Sequence, residues 1–347
     1  MMWFKYLSLV FILFLITCKS FDPVAYEPPP KPALIGHFEP NTKLRDAKLL
    51  VVGKVFGLES LDVDILGNIY GGDKDGNILK ISPNEDITIL TNTGGRPLGV
   101  QLDSSGNLII ADAYKGLLSL DTKGNLSLLV NHFESKPLKF TDDIDIAKDG
   151  KIYFSDASIY EQKEYLYDLL ESRPYGRLFV YDPKLKKTEL LLDGLYFANG
   201  IALSKTEDFI LINETYRYRI TKFWLKGSKK GQREVFIDNL PGFPDNLTRN
   251  ENGDFWVALF TVRNDRMDGM HPSPFLKKLT SMLPKFLWPK PEPYGYVMKL
   301  DGKGNIINTY QDPKGKHLKE ITSAIEKNGK LYIGSLYNTR LGVLDLK

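Results

Sequence analysis

Six internal copies of one short segment place chemically capable side chains at a shared position. Each copy alternates apolar residues and then turns. Counting back eight residues from the turn position gives Glu59, Leu98, Asp142, Asn199, Asp245 and Ile321. Glu59, Asp142, Asn199 and Asp245 carry side-chain oxygens, and Asp143 and Asn246 follow two of them. Three carboxylates gathered at one level, with no Lys or Arg in the same phase, repel one another unless a cation lies among them. The donor set points to calcium, which accepts carboxylate and amide oxygens in flexible geometry. Magnesium asks for a stricter octahedron, and softer metals ask for the His or Cys that this phase lacks. The competing reading is that each residue only caps or hydrogen-bonds the start of a strand; the common phase favours the ion.

Other reactive residues fall outside this phase. Asp73, Asp112 and Asp156 each stand six residues past a turn glycine. They are expected to cap the next turn, with the rim of a substrate entrance as the alternative. His37, His132, His271 and His317 are expected at the surface. With one cysteine, Cys18, the chain forms no internal disulfide and no cysteine-based zinc site.

The elements that would hold the four donors follow from the copies themselves. They read Leu61-Asp-Val-Asp-Ile-Leu-Gly67, Val100-Gln-Leu-Asp-Ser-Ser-Gly106, Ile144-Asp-Ile-Ala-Lys-Asp-Gly150, Leu247-Thr-Arg-Asn-Glu-Asn-Gly253 and Ser323-Ala-Ile-Glu-Lys-Asn-Gly329. A fourth copy, Ile201-Ala-Leu-Ser-Lys-Thr-Glu207, lacks the glycine. Period-two alternation around Asn-Gly or Asp-Gly is a hairpin signature. Most copies lead into a second hairpin, such as Gly76-Asn-Ile-Leu-Lys-Ile81 or Gly176-Arg-Leu-Phe-Val-Tyr-Asp182. Two hairpins make a four-stranded blade, and six copies predict an all-β, six-bladed β-propeller over 44–347. Lys48 to Val55 is expected to complete the last blade and close the ring. Two helical insertions interrupt the rhythm, Tyr160 to Arg173 and Arg263 to Pro293. The second is either an amphipathic helix packed on the propeller or a basic, aromatic surface that touches lipid.

The first residues read as an address. Lys5 precedes a run, Tyr6 to Thr17, whose length suits a signal segment and falls short of a membrane-spanning helix. Cys18 follows in Leu15-Ile16-Thr17-Cys18, like a lipoprotein cleavage site. Residues 1–20 are therefore expected to export the chain and, through Cys18, to anchor it to a membrane. An uncleaved anchor and a soluble secreted form are the alternatives. Residues 21–43, carrying Pro23, Pro28, Pro29, Pro30, Pro32 and Pro40, are expected to form an extended tether. The net charge of +3, without basic runs interleaved with aromatics, gives no reason to expect nucleic acid.

Four motifs carry a family resemblance: Gly95-Arg-Pro-Leu-Gly99, Tyr196-Phe-Ala-Asn-Gly-Ile201, Gly242-Phe-Pro-Asp-Asn246 and Leu331-Tyr-Ile-Gly-Ser-Leu336. From about Leu50 onward the chain resembles the strictosidine synthase-like proteins, relatives of the calcium-dependent gluconolactonases, paraoxonases and diisopropyl fluorophosphatase. The resemblance implies metal ligands at Glu59, Asn199 and Asp245, with Asp142 where an Asn is usual. The glutamate of true strictosidine synthases falls at Thr322 and the paraoxonase histidine at Leu98, so neither activity is expected. What the resemblance leaves is a calcium-dependent hydrolase of small esters or lactones, with Asp142 or Asp245 as general base. The alternative is a non-enzymatic propeller with structural calcium that binds a protein, glycan or lipid partner.

Overall fold

A computed structural model describes residues 21–346. The apolar run and Cys18, and with them the expected export and lipid anchor, lie outside the described residues. Six four-stranded antiparallel sheets follow one another as blades; five run in sequence order from inner to outer strand, and the sixth takes its outer strand from the start of the fold. The inner strands are Leu61–Val63, Pro97–Leu102, Thr141–Ile146, Ala198–Leu203, Gly242–Arg249 and Ile321–Lys327. Side chains alternate across each strand, so one face of a blade meets the preceding blade and the other meets the next. Ile201, Leu203, Ile210 and Ile212 of the fourth blade pack in this way on Leu178 and Leu195 of the third.

The ring closes as expected, but over a shorter strand. Lys48–Leu50 becomes the outer strand of the sixth blade, with Lys48 opposite Val343 and Leu50 opposite Leu341. At Val51 the backbone turns to φ 47°, a conformation that a β-branched residue adopts only under constraint, and the strand stops there. The Val51 amide donates instead to Glu85 Oε2 at 2.9 Å.

Five hairpin turns share the pattern Asp-x-x-Gly-Asn, beginning at Asp64, Asp73, Asp103, Asp121 and Asp301. In each, one carboxylate oxygen accepts the amides two and four residues on, and the other accepts the asparagine side chain. The Asx turn competes with strand continuation and fixes where the chain reverses. The glycine takes the left-handed conformation the reversal needs, as at Gly106 with φ 82°.

Both insertions fold into helices on one face of the propeller. The first gives α1 (Tyr165–Glu171). The second gives α2 (Asp265–Met270) and α3 (Pro274–Ser281). Asn264 caps α2 through the Met267 amide, and Ser273 caps α3 through the Leu276 amide, with Pro274 at the first helical position. Tyr167 of α1 meets Trp288 edge to face at 5.3 Å.

The proline-rich segment is largely extended, broken by one 3-10 turn at Gly36–Phe38. From Phe21 to Lys31, however, it is bound along these helices rather than standing clear of them. The Val24 and Tyr26 amides donate to the carbonyls of Glu171 and His271. Lys277 Nζ donates to the Val24 carbonyl at 2.8 Å, and Arg263 donates to that of Pro29 at 2.7 Å. The Arg217 guanidinium lies between the rings of Tyr26 and Tyr196, 3.7 and 3.5 Å from their centroids. His271, expected at the surface, is buried beneath this strap against Tyr26. Desolvation, then the charges of Lys277, Arg217 and Arg263, push its pKa down to about 3, so the imidazole stays neutral. His317 is half-buried and donates to the Ala47 carbonyl at 2.7 Å. His37 and His132 are exposed, as expected.

Candidate metal centre and channel mouth

The inner strands carry the donors at interruptions of their own ladders. In the third blade, pairing jumps from Thr141 to Ile144, leaving Asp142 and Asp143 out of regular register. The same irregularity holds Asn199 and Gly200 between Ala198 and Ile201, and Asp245 and Asn246 between Pro244 and Leu247. In the second blade it holds Leu98 and Gly99. A bulge re-aims a side chain that strict alternation would turn into the blade-to-blade packing. Glu59 reaches the same place from the segment just before its strand.

The sixth blade corrects one residue of the sequence phase. Its first hairpin turns tightly through Asn328 and Gly329, with Lys327 opposite Lys330, whereas the third blade pairs Ile146 with Ile152. Counting back from the glycine therefore slips by one. Thr322, not Ile321, occupies the bulge, and its hydroxyl donates to the Glu59 carbonyl at 2.8 Å. Ile321 belongs to the packing between the fifth and sixth blades.

Glu59, Asp142, Asn199 and Asp245 all line one cavity of about 110 Å³, together with Leu98. All four are at least 93% buried, and in each one side-chain oxygen is buried with no hydrogen-bond donor among the described residues. Buried oxygens are rarely left so, and four around one cavity make these residues candidates for holding a cation. Burial, relieved in part by Arg96, pushes Glu59 up to about 7. Burial and then the charges of Glu59, Asp245 and Asp143 push Asp142 well above the carboxylate range. Asp245 is raised by burial and by Glu59, with Asn199 drawing it partly back. Among the described residues no three His, Cys, Asp or Glu side chains are gathered closely enough to hold an ion by themselves. The four residues fit a hard cation by donor chemistry and by their unpartnered oxygens, not as a closed coordination shell.

Several positioning residues were given no role from the sequence. Arg96 lies 4.0 Å from Glu59 and donates to the Gly57 carbonyl at 3.0 Å. Asn213 and Thr215, at the end of the fourth blade's second strand, donate to the carbonyls of Asp245 and Pro244 at 2.5 and 2.7 Å. Gly200 lets the fourth blade approach the fifth: a Cβ there would lie 2.5 Å from the Asp245 carbonyl oxygen. Only the Asn-Gly dipeptide hinted at this, since the other contacts cross between blades.

Asp73, Asp112 and Asp156 cap turns and do not reach the cavity. Asp112 accepts the amides of Arg96, Tyr114 and Lys115 and the Thr93 hydroxyl. Asp156 accepts the Lys139 and Phe140 amides and pairs with Arg177.

Above the acidic floor the cavity walls are apolar. Phe140, Phe197 and Phe243 come from the blades, Tyr165 and Leu169 from the first insertion, and Met267 and Pro289 from the second. Phe197 packs on Tyr216 at 4.4 Å and adopts φ 59°, a strained conformation held two residues before Asn199. A charged floor beneath a greasy throat suits a small molecule with one polar reacting group and an apolar body.

The fold and this floor define the class: a six-bladed propeller of the strictosidine synthase and gluconolactonase architecture. Residues 142–228 match the strictosidine synthase family, and residues 36–81 match the N-terminal family of strictosidine synthase-like proteins. Adipocyte plasma membrane-associated protein of Bos taurus is 34% identical over 90% of this chain and 81% of its own length. Strictosidine synthase-like protein 13 of Arabidopsis thaliana is 34% identical over 89% of this chain and 86% of its own. The chain belongs to this strictosidine synthase-like family. A gluconolactonase of Xanthomonas campestris shares the fold with a TM-score of 0.65 at 18% identity, covering 94% of this chain and 97% of its own. A calcium-binding regucalcin of Agrobacterium tumefaciens does so with a TM-score of 0.62 at 15% identity, over 86% of this chain and 93% of its own.

Proposed function

We propose that this protein is a calcium-dependent hydrolase of small esters or lactones, with Glu59, Asp142, Asn199 and Asp245 holding the ion. The observation that carries the reading is the set of four buried, unpartnered oxygens on the floor of an apolar cavity. The fold neighbours support it: one is a gluconolactonase and another is described as calcium-binding. When bound, calcium supplies a Lewis acid that polarises the carbonyl and offsets charge developing on its oxygen.

The chain's own groups supply the remainder. Phe140, Phe197 and Phe243 seat the apolar part of the substrate and exclude bulk water. Asp142 takes the proton from the attacking water, since one of its oxygens has no donor. Asp245, whose backbone Asn213 and Thr215 hold, keeps its place as a ligand. Thr322 hydrogen-bonds the backbone of Glu59 and offers no acid, which argues against strictosidine synthesis.

Hydrolysis of phenyl acetate and a lactone panel, with calcium and with chelator, tests the reading. Chelation is expected to abolish turnover, and Asp142→Asn to lower kcat by about 10²-fold or more. A folded, calcium-loaded protein inert on the whole panel overturns it in favour of a binding propeller with a structural ion. Leu98, apolar where a second base could stand, is the observation on that side.

Membrane attachment through residues 1–20 is part of the same proposal. It is supported by the apolar run before Cys18 and by relatives named as plasma membrane-associated. Among the described residues no helix is long and apolar enough to cross a membrane. Loss of palmitate labelling on Cys18→Ser is the expected outcome, and persistent labelling refutes lipidation there.

A further inference from the structure

The second insertion does more than wall the cavity. Phe275, Leu279, Met282, Leu283, Phe286 and Leu287 are all exposed, the two phenylalanines by 74% and 71%. Elsewhere among the described residues, exposed large apolar side chains occur singly or in adjacent pairs. A cluster of this size on a soluble surface marks a binding face. Lys278 and Lys290 stand exposed beside it, as does Lys285, whose ammonium also donates to the Lys163 carbonyl. Trp288, by contrast, is buried with its indole donating to the Leu283 carbonyl, so the segment is a built element with a greasy outer side.

The place of this cluster narrows what covers it. Pro289 and Lys290, at its end, line the cavity mouth. The strap that continues from the apolar run at residues 6–17 is held on the neighbouring α1: Phe21 packs on Tyr167 at 5.9 Å, and the Asp22 amide donates to Glu171. Lys277 of α3 turns inward and grips the strap at Val24, leaving the apolar residues of α3 outward. An apolar face rimmed by lysines, beside the point where an apolar N-terminal run joins the fold, matches the interface of a bilayer bearing anionic headgroups.

We propose that segment 274–290 docks on an anionic lipid surface and lays the channel mouth against it. The apolar side chains of α3 and the following turn enter the headgroup region, and the three lysines meet phosphate. This placement holds whether or not the cavity is hydrolytic. If it is, the substrates that reach it are amphiphilic esters arriving from the lipid.

The test uses the full chain carrying Cys18→Ser and Leu279→Cys, the latter labelled with a polarity-sensitive fluorophore. Vesicles of phosphatidylcholine with phosphatidylglycerol are expected to blue-shift the label, and phosphatidylcholine alone to do so more weakly. Adding Phe275→Ser and Phe286→Ser is expected to abolish the shift. Lys278→Glu with Lys285→Glu is expected to raise the lipid concentration needed by about fivefold or more per charge. These positions are exposed, so an unchanged Tm verifies that the variants fold. An unshifted label on vesicle-bound protein overturns the proposal, because the N-terminal run alone then holds the chain. A label already blue-shifted without lipid also overturns it. Dependence of that shift on protein concentration would indicate a second copy on the patch, and independence the chain's own N-terminal run.

Discussion

The five Asp-x-x-Gly-Asn turns and the acidic channel floor use the same side chain for opposite ends. At the turns each aspartate is saturated within five residues of sequence by two amides and an asparagine. Local donors pull Asp64 and Asp301 below the usual carboxylate range although burial opposes them. On the floor, Glu59, Asp142 and Asp245 come from three different blades, lose water and gain no complete set of donors. Their pKa values move the other way. A carboxylate satisfied by its own turn serves folding; one left short by the whole fold is available to a ligand.

The sharpest way to break that contrast is to remove charge from the floor. Calcium is expected to raise the Tm of the wild type, since an ion at a hundred times its Kd stabilises the native state by about 2.7 kcal/mol. Asp142→Asn and Asp245→Asn are expected to lose most of that rise. In chelator the same variants should match or exceed wild-type stability, because an uncompensated buried charge is gone. Lower stability in chelator would mean that the oxygens are satisfied without an ion.

Gly200→Ala probes the approach that sets Asn199 beside Asp245. The added Cβ falls on the backbone of Asp245–Leu247, and overpacking of this kind costs about 1–3 kcal/mol. Chemical denaturation should show that loss together with a weaker calcium response. Full retention of both would place the two blades further apart than described.

Asp103→Ala and Asp301→Ala sharpen the other side. Each is expected to cost about 1 kcal/mol through lost turn hydrogen bonds, with the calcium-induced rise in Tm unchanged. A turn variant that abolished the calcium response would erase the distinction between the two sets.

The smallest expected effect concerns pH. Asp64 and Asp301 have folded-state pKa values below their unfolded ones, so the stability they add is present above the ordinary carboxylate pKa of about 4 and fades as pH falls through the folded values. Acid unfolding followed by circular dichroism should therefore begin at higher pH in wild type than in a form whose turns do not rely on ionised aspartate. Asp301→Asn, which keeps one acceptor oxygen, is expected to flatten the slope slightly.

The blades were legible because their information is local. Asp64 to Asn68 and Asp103 to Asn107 specify their reversals within five residues, and period-two alternation on either side specifies strands. Glu59, Asp142, Asn199 and Asp245 could be aligned on one level because four copies kept their spacing. The sixth copy misled by one residue: its turn at Asn328-Gly329 is shorter, and only pairing across the hairpin reveals that Thr322 takes the place assigned to Ile321. The insertions could be read as helical, but not that Lys277 would turn inward or that the strap would lie across them.

The sequence by itself determined the number of blades, the closing strand and which oxygen-bearing side chains share the channel floor, since each rests on repetition or on contacts a few residues apart. Tertiary structure alone decided which oxygens go without a donor. It also placed Arg96 against Glu59, set Asn213 and Thr215 to hold the Asp245 backbone, and left one insertion greasy on its outer side. The reason is physical. Satisfaction and exposure are properties of what surrounds a group, and around a propeller channel the surroundings come from blades that lie tens to hundreds of residues apart in the chain.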